Sequence, residues 1–104
     1  MIERTWSART DTRGAGVEYA AYFQRVVLPE LTVVPGYRGA RLLQRDLRGG
    51  TEIVVISLWE SLDAIRGFAG DDIDRAVVHA EAAALFSDYD HTVRHFEVVR
   101  EDAP

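Results

Sequence analysis

The chain contains no cysteine, no lysine and no asparagine among its 104 residues. The absence of cysteine excludes disulfide bonds, thiolate catalysis and cysteine-ligated metal sites, and it fits a cytoplasmic protein. All 12 basic residues are arginine, which excludes chemistry that needs a lysine Schiff base. No apolar run approaches the length of a membrane span, and the charged N-terminus shows no signal peptide, so no membrane association is expected.

The charge balance is acidic, with a formal net charge of −5. A protein that binds nucleic acid needs basic residues against the phosphate backbone, so nucleic acid is not an expected partner. The length corresponds to one domain, which we expect to span residues 1–104.

Hydrophobic periodicity predicts secondary structure in the order β-α-β-β-α-β. The predicted strands cover residues 2–9, 37–47, 52–60 and 91–100, and the predicted helices cover 17–31, 62–69 and 73–86. Loops or turns are expected at 10–16, 49–50 and 88–90. Pro29 should kink or restart the first helix, Ser61 should cap the second, and Gly70 should end it. This ferredoxin-like order predicts an α+β fold, with a four-stranded antiparallel sheet and helices on one face.

The third predicted strand is apolar on both faces. Ile53, Val55 and Trp59 alternate with a second apolar set formed by Val54, Ile56 and Leu58. A small antiparallel sheet normally leaves one face to water, and this strand has no face suited to it. The helices of the chain can cover one face, so we expect a second copy of the chain to cover the other, giving a homodimer.

Three segments resemble the antibiotic biosynthesis monooxygenase-like family of dimeric α/β barrels. They are PGYRGARLL at 35–43, LWESLDAIRGFAGDDIDRAV at 58–77, and HFEVV at 95–99. The resemblance implies that two ferredoxin-like subunits pack sheet against sheet, and that each keeps a pocket between its sheet and its helices. Characterised relatives include cofactor-free oxygenases of polyketide anthrones and quinols, haem-degrading enzymes and small-metabolite isomerases, so the fold alone does not choose the chemistry.

Three residues are candidates for catalysis. His79 could act as a general base, although a lone histidine is more often structural. In the cofactor-free relatives a tryptophan near position 59 lines the pocket, and Trp59 could equally be a core residue. Arg41 could hold an anionic oxygen of a substrate if its face of the second strand looks into a cavity; the alternative is an ion pair with the acidic second half of the chain.

Four further residues are candidates for substrate binding, namely Phe68, Tyr22, Trp6 and His95, with core or interface packing as the alternative for each. The haem-degrading relatives use a helix histidine with a tryptophan and an asparagine. Phe68 stands roughly where their tryptophan would lie and the chain has no asparagine, so haem is the least favoured ligand. His91 and His95 lie about 13 Å apart along a strand, too far to share one ion, so no metal site is predicted.

Two functions are compatible with these residues. The first is cofactor-independent monooxygenation of a small aromatic or polyketide-type substrate, with no cofactor required. The second is a non-catalytic dimeric domain whose pocket is filled by its own side chains, such as Trp6, Phe23 and Trp59. A cavity large enough for a tricyclic ligand would favour the enzyme.

Overall fold

The computed structural model describes all 104 residues and consists of an antiparallel sheet with helices on one face. The strands are β1 Ile2–Thr10, β2 Tyr37–Leu47, β3 Gly50–Trp59, β4 Asp88–Tyr89 and β5 Arg94–Glu97. The α-helices are α1 Arg13–Tyr22, α2 Leu28–Thr32, α3 Leu62–Ala69 and α4 Ala80–Ala83, and a π-helical segment, Phe23–Val27, joins α1 to α2. The predicted α+β class and ferredoxin-like order are confirmed.

The sheet has the strand order β2-β3-β1, and β4 and β5 both pair with β1 on its free side. β4 pairs near Ala8 and β5 pairs along residues 2–5, so two short strands occupy the place of the single last strand that was predicted. The predicted turn at 88–90 is wrong for Asp88 and Tyr89, which form β4. Arg9 secures this strand, because its guanidinium pairs with Asp88 at 2.6 Å and with Asp90 at 3.2 Å.

The first helical region begins earlier than predicted. Thr12 adopts an extended conformation and its hydroxyl accepts a hydrogen bond from the Ala15 N–H at 3.1 Å, so the helix begins at Arg13 within the segment predicted as a loop. The predicted restart at Pro29 is confirmed. Proline cannot donate to the preceding turn, and the chain passes through the π-helical segment before α2 begins with Pro29 in its first turn.

The β2–β3 hairpin turns one residue before the predicted Gly49–Gly50 pair. Leu47 pairs with Gly50, so Arg48 and Gly49 form the two-residue loop. Gly49 has φ of +81°, which favours glycine, and Gly50 opens β3 with ordinary backbone angles.

The predicted helix over 73–86 is wrong for most of its length, because only Ala80–Ala83 is α-helical. Residues 73–76 give their backbone groups to tertiary partners instead. Arg4 donates to the carbonyl oxygens of Ile73 and Arg75, and the Ala76 N–H donates to the carbonyl of His91 at 2.9 Å. Ser61 and Gly70 behave as predicted, since the Ser61 hydroxyl caps α3 and Gly70 ends it with φ of +80°.

Both faces of β3 are apolar, as predicted. On the helix-facing side Ile53 and Trp59 are fully buried, and on the outer side Val54, Ile56 and Leu58 are half-buried. Two apolar clusters fill the space between sheet and helices, one around Tyr19, Phe23 and Ile53 and the other around Leu31, Trp59 and Ile65. None of the helices has the length and hydrophobicity that crossing a lipid bilayer requires.

Candidate functional site

A small cavity lies between the helix-facing side of the sheet and the helices. Its volume is about 60 Å³, and its lining is mostly hydrophobic, including Trp6, Tyr19, Phe68 and Val77. Arg4 and Ser57 are its polar lining residues, and Tyr19 adds a phenol ring to the lining. This is the lining expected of a small-molecule site, in which a few polar groups orient a ligand among apolar walls.

A narrower extension of about 20 Å³ adjoins this cavity, because Trp6, Tyr19, Phe68 and Val77 line both. The extension is also lined by Tyr22, Glu30 and His79. Taken together, the two spaces connect a polar end at Arg4 with a second polar end at His79.

The strand register explains why Arg4 is in the cavity. Arg4 pairs with Ser57 on β3 and with His95 on β5, so the three side chains project from the same face of three neighbouring strands. Arg4 is 5% exposed. Its guanidinium donates to the Ile73 carbonyl and, at 3.0 Å, to the Arg75 carbonyl. Burial lowers the pKa of Arg4 to about 10, with Asp74 opposing the shift, so the group is still charged at neutral pH.

His95 lies behind Arg4, away from the cavity. Its Nε2 is 2.9 Å from Nη1 of Arg4, and its Nδ1 is 3.3 Å from a carboxylate oxygen of Asp74. A guanidinium can only donate, so Nε2 must accept and the proton lies on Nδ1, where it faces Asp74. Burial lowers the pKa of His95 and Arg4 lowers it further, against the smaller opposing effect of Asp74. His95 is therefore neutral and holds Arg4 in place.

Two hydroxyl groups complete the polar lining. The Ser57 Oγ accepts a hydrogen bond from Nε1 of Trp59 at 2.8 Å, which leaves the hydroxyl proton free to donate. The Tyr19 side chain is buried and lines both the cavity and its extension. Burial raises the pKa of Tyr19, and the neighbouring Tyr22 raises it further, so this phenol stays protonated as a donor.

His79 and Glu30 form a pair at the far end of the extension. Nε2 of His79 lies 3.1 Å from one carboxylate oxygen of Glu30 and 3.2 Å from the other. Both side chains are partly exposed, at 51% and 40%. A carboxylate that accepts the Nε2 proton leaves Nδ1 as the free basic nitrogen of the imidazole.

The structure brings together four of the seven residues selected from the sequence. Trp6 and Phe68 line the cavity, and Tyr22 and His79 line its extension. His95 reaches the site only through Arg4.

Two predicted residues lie elsewhere. Trp59 is fully buried between Tyr37 and Phe68 and lines neither space. Arg41 pairs with Ile56 on the outer face of the sheet, so within one chain it cannot meet His79. The outer groove that Arg41 lines has a volume of about 400 Å³ and includes Arg100.

Sequence reasoning missed Arg4 and Ser57. The available signal for Arg4 was the alternation of β1, in which Arg4 falls in the same set as Trp6 and Ala8, on the buried face. An arginine in a buried set is unusual and marks a candidate site. No comparable signal singled out Ser57, because its role depends on the register between β1 and β3.

Comparison with known proteins identifies the family. Residues 12–88 match the sequence model described as antibiotic biosynthesis monooxygenase. Comparison with curated proteins finds no match.

Several solved structures share the fold. The haem-degrading protein MhuD of Mycobacterium tuberculosis, with two haems in its active site, is 23% identical with a TM-score of 0.65, over 99% of this chain and 100% of that one. SnoaB of Streptomyces nogalater, a cofactor-independent oxygenase, is 25% identical with a TM-score of 0.63, over 100% and 99%. The monooxygenase ActVA-Orf6 of Streptomyces coelicolor, in complex with nanaomycin D, is 16% identical with a TM-score of 0.64, over 99% and 91%.

Proposed function

This chain belongs to the antibiotic biosynthesis monooxygenase family, and we propose that it oxygenates a small electron-rich aromatic molecule without a bound cofactor. The observation that carries the proposal is the cavity itself, which is apolar, lies between sheet and helices, and has Arg4 and Ser57 at one end and a histidine–glutamate pair at the other. Similarity to SnoaB, a cofactor-independent oxygenase, supports the same class of reaction.

The proposed reaction converts an activated CH₂ of an anthrone-type substrate to a carbonyl. A base removes one proton, and the carbanion transfers one electron to dioxygen. The resulting radical and superoxide combine and take up a proton to give a hydroperoxide. Loss of the second C–H proton with cleavage of the O–O bond yields the C=O group and water. One substrate and one dioxygen are consumed, the carbon is oxidised and dioxygen is reduced, and no further reductant is needed.

Different residues of the site carry out these steps. Nδ1 of His79 accepts the substrate proton, with Glu30 fixing the imidazole orientation. The hydroxyls of Tyr19 and Ser57 donate to the oxygen on which negative charge develops, and in a dry apolar site such donors are more effective than in water. Trp6 and Phe68 are the walls that hold the aromatic ring.

A cavity of about 60 Å³ holds a few water molecules and is smaller than an aromatic ring system. Substrate binding therefore requires a wall to move. Residues 70–79 supply the wall that includes Val77 and, apart from the bridge between Arg75 and Thr92, belong to neither a helix nor a strand. We assign the opening to the part of this segment around Val77, because residues 73–76 are held by backbone hydrogen bonds and the other lining residues, apart from Val93, belong to strands or helical segments.

Haem fits this site poorly, although MhuD binds it. Nε2 of His79 already faces the carboxylate of Glu30, and Nε2 of His95 accepts from Arg4. Neither histidine presents a free Nε2 to the cavity, and the cavity is much smaller than a porphyrin. The proposed reaction therefore involves no haem.

The proposed working form is a homodimer. Leu43 and Phe96 are 44% and 47% exposed on the outer face of the sheet, beside the half-buried Val54, Ile56 and Leu58. Apolar surface of this kind is covered in a stable protein, and a second sheet packed face to face would cover it. Arg41 would then face the partner subunit rather than the cavity of its own chain.

Oxygen uptake with a panel of anthrones and quinols tests the proposal. We expect metal-free protein to consume one dioxygen per substrate, and His79→Gln to lower the rate by about 10²- to 10⁴-fold, the usual contribution of a general base. The matched control is His91→Gln, because His91 is exposed and lines neither space. A protein that binds these compounds yet consumes no oxygen would be the non-catalytic binding domain, an alternative that the small cavity favours.

A further inference from the structure

Arg4 is a buried cation with no carboxylate bonded to it. Its hydrogen-bond acceptors are the carbonyls of Ile73 and Arg75 and the neutral imidazole of His95. The carboxylate of Asp74 reaches it only through His95, and that side chain is 77% exposed. A charge that is withdrawn from water and hydrogen-bonded only to neutral groups carries a desolvation cost, which the nearby charge of Asp74 offsets in part and a bound anion would offset further.

The guanidinium also has unused donors. Of its five N–H groups, Nη1 gives one to Ile73 and one to His95, and Nη2 gives one to Arg75. One N–H on Nη2 and the N–H on Nε have no partner in the protein. Arg4 lines the cavity, and the Ser57 hydroxyl, which is free to donate, lines it as well. Donors and positive charge therefore meet at one end of an apolar space.

We propose that Arg4 and Ser57 form an anion-binding subsite, and that the ligand of this cavity is an aromatic molecule carrying an ionised oxygen, most simply a carboxylate. Arginine suits such a group because its planar donors match the two oxygens of a carboxylate. His95 is a positioning residue, since it holds Nη1 and leaves the other edge of the guanidinium to the ligand. This inference rests on the proposed function, because it names the substrate class for the same cavity.

The other lining residues of the two spaces fit this assignment. The apolar walls formed by Trp6, Phe68 and Val77 suit the ring, and the volume of about 60 Å³ beside Arg4 suits a small group such as a carboxylate. The ring of Phe68 has its centroid 6.0 Å from the Arg4 guanidinium carbon, so the cation is next to an aromatic wall. The only other charged side chain lining the two spaces is Glu30, at the opposite end with His79, where it repels an anion.

Binding of benzoate and benzamide to the wild-type protein tests the subsite. The two ligands have the same ring and shape and differ in charge. Tryptophan fluorescence reports occupancy, because Trp6 lines the cavity. We expect benzoate to bind at least about tenfold more tightly than benzamide, the difference typical of one charge-assisted hydrogen-bonded pair. Equal affinity, or no saturable benzoate binding, would overturn the inference.

Arg4→Met removes the charge and keeps a long apolar side chain. We expect it to lose the preference for benzoate, whereas Arg66→Met should keep it, because Arg66 is an exposed arginine of α3 outside the cavity. Should Arg4→Met fail to fold, the ¹⁵N resonances of the Arg4 guanidinium in wild-type protein decide. If Arg4 is the binding group, these resonances shift when benzoate is added and do not shift when benzamide is added. Benzoate binding without a shift of these resonances would reject Arg4 as the anion-binding group.

The outcome is separable from that of the proposed function. Benzoate selectivity without oxygen uptake on any substrate would leave the anion subsite standing and reject the oxygenase. Oxygen uptake on neutral anthrones without benzoate selectivity would support the oxygenase and reject the anion subsite.

Discussion

Replacing Gly50 with alanine tests how closely the β2–β3 hairpin packs against the end of β1. A Cβ atom at position 50 would lie 1.9 Å from the carbonyl oxygen of Thr10 and 3.2 Å from the carbonyl carbon of Asp11. Carbon and oxygen in ordinary contact are about 3.3 Å apart, so the two backbones would have to separate by more than about 1 Å. The obstacle is main chain, which cannot rotate away as a side chain can.

The expected loss follows from what that separation breaks. Thr10 pairs with Thr51 at this end of the β1–β3 ladder, and Thr51 is almost fully buried against Gly16 of α1. Losing one or two ladder hydrogen bonds at about 1 kcal/mol each, with about 1–2 kcal/mol of overpacking, gives a decrease of about 3 kcal/mol in the free energy of unfolding. For a chain of this size that lowers the melting temperature by roughly 10–20 °C.

Gly49→Ala is the matched control in the same turn. Position 49 has φ of +81° and nothing within 4 Å of a Cβ, so alanine there costs only the backbone penalty, about 1 kcal/mol. Urea denaturation at one fixed protein concentration measures both variants, since an oligomer makes the midpoint depend on concentration. A Gly50→Ala protein within about 0.5 kcal/mol of wild type, or less affected than Gly49→Ala, would refute the packing argument.

Three further predictions each concern the replacement of one residue. Burial and Arg4 lower the pKa of His95 below its value of 6.5 in the unfolded chain, so the unfolded chain binds the extra proton as the pH falls. The free energy of unfolding should therefore decrease below about pH 6.5. Urea midpoints measure this decrease, which should be smaller in His95→Gln. Thr12→Ala removes the cap of α1 and should lower the free energy of unfolding by about 1 kcal/mol, as measured by urea denaturation. The control Asp11→Ala, at an exposed position, should change it by almost nothing. Ile56→Glu places a charge on the outer sheet face and should convert a sedimenting dimer to folded monomer, and a wild type that is already monomeric would reject the dimer.

Local pattern was sufficient for the elements whose partners are near in sequence. β2 has the predicted limits, and Ser61 and Gly70 bound α3 as expected, because a hydroxyl cap and a positive φ are properties of a few neighbouring residues. The helix over 73–86 failed for the opposite reason. Its apolar spacing is compatible with a helix, but Arg4 lies about seventy residues away and takes the backbone carbonyls that a helix would use.

The candidate site divides in the same way. His79, Trp6 and Phe68 were found from residue type and family resemblance, and they line the two spaces. Arg41 and Trp59 were reasonable on the same grounds, yet the pairing of β2 with β3 turns Arg41 outward and the packing of α3 buries Trp59. The alternation of a strand says which residues share a face, and it does not say which face meets the helices.

The sequence by itself determined the family, the ferredoxin-like order of elements and the apolar character of both faces of β3, because periodicity, caps and turns act over a few residues. Only the tertiary structure decided that Arg4, Ser57 and His95 meet, since they come from three strands whose side chains share a face through long-range register. The same register places Nε2 of His95 against Arg4 and so fixes the tautomer of His95, and two N–H groups of Arg4 have no partner in the protein. A buried charge that is hydrogen-bonded only to neutral groups keeps a desolvation cost, and a bound anion would reduce that cost.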